Sequence, residues 1–259
     1  MLGIGKRGTA AAAMLLVFGA ARAPVEQALT AEHQAAHFRG AELDLELRER
    51  IGQKAYIAAL SGFRSLIADV LYIEAHTAWE RTQWGRMAYL FNNVTTLQPR
   101  NLLFWDMAAW HMAWNASVAA LDDQSQPREA IRRRNQRAYF ELGREFLERG
   151  IRNNPDRYLL YERMAILLRD KYEDFCGAAD YFLEAARFDD APSYEARFAA
   201  YAMAKCPGRE REAYELLRRL WFDHPDERMP TMRTLIRELQ LELGVPEQQR
   251  IYIPADSRQ

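Results

Sequence analysis

The sequence predicts an all-α protein built as a stack of helical hairpins, and a recurring helix ending is the main reason. Leu97-Gln98-Pro99, Asn153-Asn154-Pro155 and Asp223-His224-Pro225 each close an amphipathic segment. Small or apolar residues stand five, eight and twelve positions before each proline: Val94, Phe91 and Met87; Gly150, Leu147 and Gly143; Leu220, Leu217 and Ala213. Small side chains at these positions let two helices approach, a bulky one fills the gap, and proline stops the helix because it has no N–H to donate. Composition supplies the second reason. Hydrophobic residues at 49% and aromatic residues at 12% are ample for a packed core in a chain of 259 residues.

This pattern resembles the second helix of a tetratricopeptide repeat. A degenerate fourth copy places Ala178, Phe182 and Ala185 in the same relative positions, with Asp190 where proline would stand and Pro192 two residues later. The first-helix signature of that family, Trp followed by Leu-Gly and Tyr, is poorly kept. The resemblance implies a right-handed superhelical stack of about four hairpins over residues 59-243, closed by a C-terminal capping helix. It also implies a surface that binds partners and carries out no chemistry.

From the N-terminus, residues 1-25 form the first element. Lys6 and Arg7 precede an apolar run from Thr9 to Ala21, and Ala21-Arg22-Ala23 has the small-x-small form of a signal-peptidase site. Thirteen residues are short for a bilayer span, which takes about 20. Pro24 directly after the scissile bond opposes cleavage. Two outcomes therefore stand: a cleaved bacterial export signal, or a retained anchor with its basic pair on the cytoplasmic side. Either exports the remainder, as an inner-membrane protein facing the periplasm or as a soluble periplasmic one. No cysteine lies near residue 23 to mark a lipoprotein.

Residues 26-58 read as a polar lead-in helix or stalk. His33 and His37, four apart beside Glu32, have a zinc-chelating spacing, but Gln34 stands where the metalloprotease pattern needs glutamate, so no metal site is assigned. From Ala59 to Trp79, Leu60, Phe63, Ile67, Val70 and Leu71 form an apolar face at helical spacing. Asp69, Tyr72 and His76 run along another face and are candidate lining residues of a partner groove. Trp84 to Leu97 is the partner helix. Leu102 to Val118 is apolar on nearly every side, as expected of a central helix. Trp110 and Trp114 within it are further candidate contacts, because tryptophan is enriched at interface hot spots.

Pro99 and Pro155 are 56 residues apart where a repeat takes about 34, so extra residues sit near Leu121 to Gln136. Asp122 to Pro127 reads as a surface loop. Behind it Arg128, Arg132, Arg133, Arg134 and Arg137 open a long helix, a basic patch suited to phosphate, lipid headgroups or an acidic partner. In the repeat register Cys176 begins one second helix and Cys206 ends the next first helix, which makes them a candidate disulfide. Met229 to Leu243 is the capping helix, ended by Gly244 and Pro246, and residues 244-259 are a tail.

A formal net charge of -1 argues against a general nucleic-acid binder. No nucleophile elbow, phosphate loop or dinucleotide fingerprint is present, so neither enzyme nor cofactor is expected. The functional expectation is a membrane-associated adaptor for protein partners of the bacterial cell envelope, in assembly, secretion or pilus biogenesis. The alternative is a periplasmic module whose groove holds a peptide, glycan or lipid fragment.

Overall fold

A computed structural model describes residues 62–253, with Met14 and Val17 as isolated helical positions. Apart from those two positions, the expected export signal and the expected lead-in stalk lie outside the described residues, as do His33, His37, Leu60 and residues 254–259. Among those described, all regular structure is helical and there is no strand. No helix among them is long and apolar enough to cross a membrane. The chain divides between Met112 and Ala113 into two compact units.

The first unit holds α1 (Arg64–Glu80), α2 (Trp84–Leu97) and α3 (Leu102–Trp110). α1 and α2 form a tight hairpin whose turn places Thr82 at φ 53°. The buried residues of α1 are all small: Ala68, Ala75 and Ala78. They let α2 come close and set Met87, Leu90, Phe91 and Val94 into the joint. Ala68, Val94, Leu97 and Phe104 make one core cluster, flanked by Ile67, Leu71 and Tyr72. The guanidinium of Arg64 donates to the Leu97 carbonyl, 2.6 Å from Nη2, and so satisfies the C-terminal end of α2 with a cation. Beyond Pro99, Asn101 caps α3 by accepting from the Leu103 N–H at 3.1 Å. The Trp105 indole donates to the Pro99 carbonyl at 2.9 Å.

One expectation is corrected here. Val70 was placed on the apolar face, yet it is 49% exposed, with Leu66 and Ile73 exposed beside it. The alanines occupy the fully buried positions where α2 packs closely, Ile67 and Leu71 pack at the edge of the core, and Leu66, Val70 and Ile73 face out.

The expected single helix from Leu102 to Val118 changes pitch. A π-helical segment, His111–Ala116, follows α3 and leads into α4 (Ser117–Leu121), where Ser117 Oγ donates back to the Ala113 carbonyl at 2.6 Å. The second unit continues with α5 (Glu129–Asn153), α6 (Tyr158–Leu167), a second π-helical segment (Leu168–Tyr172) and α7 (Phe175–Ala185). It ends with α8 (Tyr194–Met203), α9 (Glu210–Asp223) and α10 (Pro230–Glu242). From α4 onward each of these helices packs against the next. Only residues 122–128 of the extra stretch are loop, and the rest lengthens α5 to 25 residues.

The residues of the repeating pattern are buried in every copy: Gly143, Leu147 and Gly150 in α5; Ala178, Phe182 and Ala185 in α7; Ala213, Leu217 and Leu220 in α9. Asp174 caps α7 by accepting from the Gly177 N–H at 2.8 Å. A Cβ on Gly177 would lie 2.5 Å from that carboxylate, so glycine is needed there. Cys176 and Cys206 are joined as a disulfide, with Cα atoms 5.0 Å apart. Gly244, at φ 62°, ends the run after α10.

Candidate partner-binding surface

In the first unit, three of the residues singled out by sequence, Tyr72, His76 and Trp110, are linked by ring contacts to one aromatic cluster. Its centre is a residue the sequence did not indicate, His111. The His111 ring is 5.0 Å from Trp110, 5.7 Å from Trp79 and 5.8 Å from Phe91. His76 stacks at 5.1 Å on Trp79 and pairs with Glu80 at 3.8 Å. His111 is buried, and its pKa falls to about 4, first because burial disfavours the charged ring and then because His76 is near. At neutral pH it is an uncharged, planar filler between aromatic rings.

Asp69 and His76 are exposed on α1, but Tyr72 is not a free groove residue. Its ring lies 5.2 Å from Phe104 and 6.0 Å from Phe91, so it belongs to the edge of the core. Trp110 is 44% exposed, and Leu103, one face-repeat earlier on α3, is 51% exposed. A signal for this convergence does exist in the sequence. Tyr72 meets Phe104 and Trp79 meets His111, each pair 32 residues apart, so α1 and α3 lie in register one repeat apart.

In the second unit, Trp114 is half-buried beneath Lys171, whose Nζ lies 5.0 Å from the indole and 5.6 Å from the Phe140 ring. Trp114 is on one π-helical segment and Lys171 on the other. Such segments are frequent at functional sites because the extra residue redirects side chains. Burial lowers the Lys171 pKa, opposed by Asp170. Beside it the Tyr172 hydroxyl donates to Glu141 at 2.8 Å; burial and that bond hold the phenol protonated.

The basic cluster is spread around the start of α5. Arg128, Arg133, Arg134 and Arg137 are exposed and Arg132 is half-buried. Arg132 donates to the Gln126 carbonyl at 2.7 Å, and Arg133 pairs with Glu129 at 2.7 Å. Two of the five therefore tie down the loop and the first turn.

The sequence also missed three buried carboxyl groups. Glu195 of α8 is fully buried and faces Glu162 of α6. Burial, then the charge of Glu162, raise the Glu195 pKa to about 8, against the pull of Arg163. Glu162 accepts from the Tyr194 hydroxyl at 3.3 Å and pairs with Arg163 at 3.3 Å. Glu227, in the turn after α9, accepts from Ser193 and from Arg197 Nε, the latter at 2.6 Å. In sequence each reads as an ordinary solvated helix charge, which is why none was noticed. Among the described residues no group of three or more His, Cys, Asp or Glu side chains is placed to hold a metal ion.

Of the rings in the two clusters, Trp110 leaves the largest apolar area open at the surface. The regular structure of the described residues is all helical, and within each unit successive helices pack against one another. Compared with family models, with characterised proteins and with solved structures, it matches none.

Proposed function

We propose that the protein is a non-enzymatic, tetratricopeptide-like adaptor of the bacterial cell envelope, exported and held at the inner membrane by residues 1-25. The observation that carries this reading is the register between successive first helices. Tyr72 with Phe104, Trp79 with His111, and Tyr194 with Glu162 are all spaced by 32 residues, close to the repeat length of about 34. A right-handed superhelical stack of about four hairpins would follow from that spacing, and first helices of such stacks line the partner surface. The disulfide between α7 and the end of α8 supports an oxidising compartment. Exposed Leu103 and Trp110 on α3 supply the large, rigid contacts that partner recognition favours.

A photo-crosslinking side chain introduced at Leu103 in intact cells should capture an envelope protein. Trp110→Ala should abolish that capture while the protein stays folded. Equal capture by wild type and Trp110→Ala would remove the adaptor reading from this surface.

A ligand-binding reading is favoured by one feature of the second unit. An open cavity of about 420 Å³ is lined by Arg237, Gln240, Leu241, Glu247, Arg250, Ile251, Tyr252 and Ile253. The Tyr214 hydroxyl donates to Gln240 Oε1 at 3.3 Å, and the Ile251 N–H donates to the same oxygen. Two arginines beside the Glu247 carboxylate suit a small ligand that carries both an acidic and a basic group, such as a short peptide. Native mass spectrometry of the purified protein with and without Arg237→Ala distinguishes this reading by a bound mass that the variant loses.

A further inference from the structure

The outward face of α1 inverts the usual arrangement of a surface helix. Its fully buried positions are alanines, while Leu66, Val70 and Ile73 are 57%, 49% and 66% exposed. With Thr77 they run at spacings of four, three and four, the seam of a helix that packs lengthwise against another helix. Scattered surface leucines are ordinary, but a continuous stripe of branched apolar residues on one helix marks an interface.

The charges beside the seam specify its occupant. On one flank, Ile67 packs against the protein's own core cluster and Glu74 pairs with Arg86 of α2 at 3.5 Å. On the other flank, Asp69 and His76 are exposed. In a parallel pairing of two α1 helices, Asp69 would face Glu74 of the second copy, carboxylate against carboxylate. In an antiparallel pairing, Val70 faces Ile73 of the second copy and Leu66 faces Thr77. Each Asp69 then meets His76 of the other copy, as acceptor and donor, and the two-fold axis makes that contact twice.

We infer that α1 is a homodimer helix: two copies of this chain associate through antiparallel packing of the Leu66, Val70 and Ile73 seam, with Asp69 and His76 as reciprocal contacts. This rests on α1 being an interaction helix but not on what α3 binds. The seam is short beside the roughly 800 Å² per partner of a standard interface, so the dimer forms and dissociates with concentration.

The test uses the full chain in density-matched detergent, by sedimentation equilibrium. Wild type should show a concentration-dependent dimer. Val70→Lys, which places a charge in mid-seam, should weaken it by at least about tenfold without lowering the melting temperature, since residue 70 is already half in water. Asp69→Arg should weaken it as well, and adding His76→Asp should restore it. Replacing Asp69 and His76 together by cysteine should give a disulfide-linked dimer on oxidation, because the two positions are too far apart to bond within one α1. Asp69→Cys alone should give none. A wild type that is monomeric throughout, crosslinking by Asp69→Cys alone, or failure of the charge exchange to restore association would each overturn the inference. So would a monomeric wild type that partitions onto phosphatidylethanolamine–phosphatidylglycerol vesicles through Val70. A monomeric Val70→Lys chain that still crosslinks to its envelope partner through Leu103 separates this question from the adaptor reading.

Discussion

The first unit buries an imidazole and the second buries carboxyl groups, and this makes their responses to pH opposite in sign. His111 sits uncharged among Trp79, Phe91 and Trp110, with its pKa lowered to about 4. Glu195 sits against Glu162 with its pKa raised to about 8. The second unit also carries the disulfide and the Arg197–Glu227 ion pair. Both units leave large apolar residues in water, Leu66, Val70, Ile73, Leu103 and Trp110 in the first and Phe222, Leu241 and Tyr252 in the second. One half is braced by polar and covalent links. The other has no such brace among its described residues and is packed from the alanines of α1 and the large side chains of α2 and α3, among them Phe91 and Trp105.

Core substitutions should be severe in both units, and hydrogen exchange can show whether the damage stays local. Phe182 is fully buried in α7, and Phe91 nearly so in α2. Phe182→Ala should cost about 3–5 kcal/mol, through lost transfer energy and the cavity left behind. Protection should collapse beyond residue 113 with smaller loss before it, and Phe91→Ala should give the reverse pattern. Uniform loss across the chain from either variant would show that the two units unfold as one.

The covalent brace comes next in size. The disulfide spans a sequence separation of 30 residues, and in the loop-entropy account such a link contributes about 3–4 kcal/mol. Replacing Cys176 and Cys206 with serine should lower the unfolding free energy of the second unit, read from denaturant titration, by that amount and leave the first unit's exchange rates unchanged.

The pH contrast is worth a few kcal/mol in each unit, since each unit of pKa shift corresponds to about 1.4 kcal/mol. For Glu195 the folded pKa lies above the unfolded one. Its contribution is fully present below about pH 4.5 and is lost as pH rises towards about 8. For His111 the folded pKa lies below the unfolded one. Its contribution is present above about pH 6.5 and is lost as pH falls towards about 4. Unfolding free energies of Glu195→Gln should lose most of the decline on the alkaline side, and those of His111→Phe most of the decline on the acid side. Matching slopes in wild type and both variants would refute this assignment of the two limbs.

The hairpins were legible in the sequence because their boundaries are local. Proline lacks an N–H wherever it stands, so helices ending at Leu97, Asn153 and Asp223 could be read without knowing what they touch. The placement of Cys176 and Cys206 followed from the same register. The candidate site was less legible because its members depend on packing partners. Val70 looked like core by periodicity, but Ala68, Ala75 and Ala78 took the fully buried positions where α2 packs closely. Glu195 looked like a solvated charge, and only the approach of α6 buries it. The two π-helical segments left no compositional mark, so the meeting of Trp114 with Lys171 could not be foreseen.

Trp110 gives the smallest expected change in stability, although the two halves of its side chain's environment differ. Its edge rests 5.0 Å from His111, yet 44% of the residue is open to water. Truncation therefore removes one ring contact, worth about 0.5–1.5 kcal/mol beyond area burial, together with the burial of about half of the indole, without opening a closed cavity. Trp110→Ala should lower stability by roughly 2 kcal/mol, short of the change for Phe91→Ala. A second consequence follows from the same contact. Removing the indole hydrates one side of the His111 ring, so its pKa should rise from about 4 towards the ordinary value. Titration of the His111 ring protons by NMR reads this directly. A His111 pKa that does not move when Trp110 is removed would mean that the imidazole is shielded by Trp79 and Phe91 alone, and that Trp110 is free to serve a partner without touching the cluster's charge state.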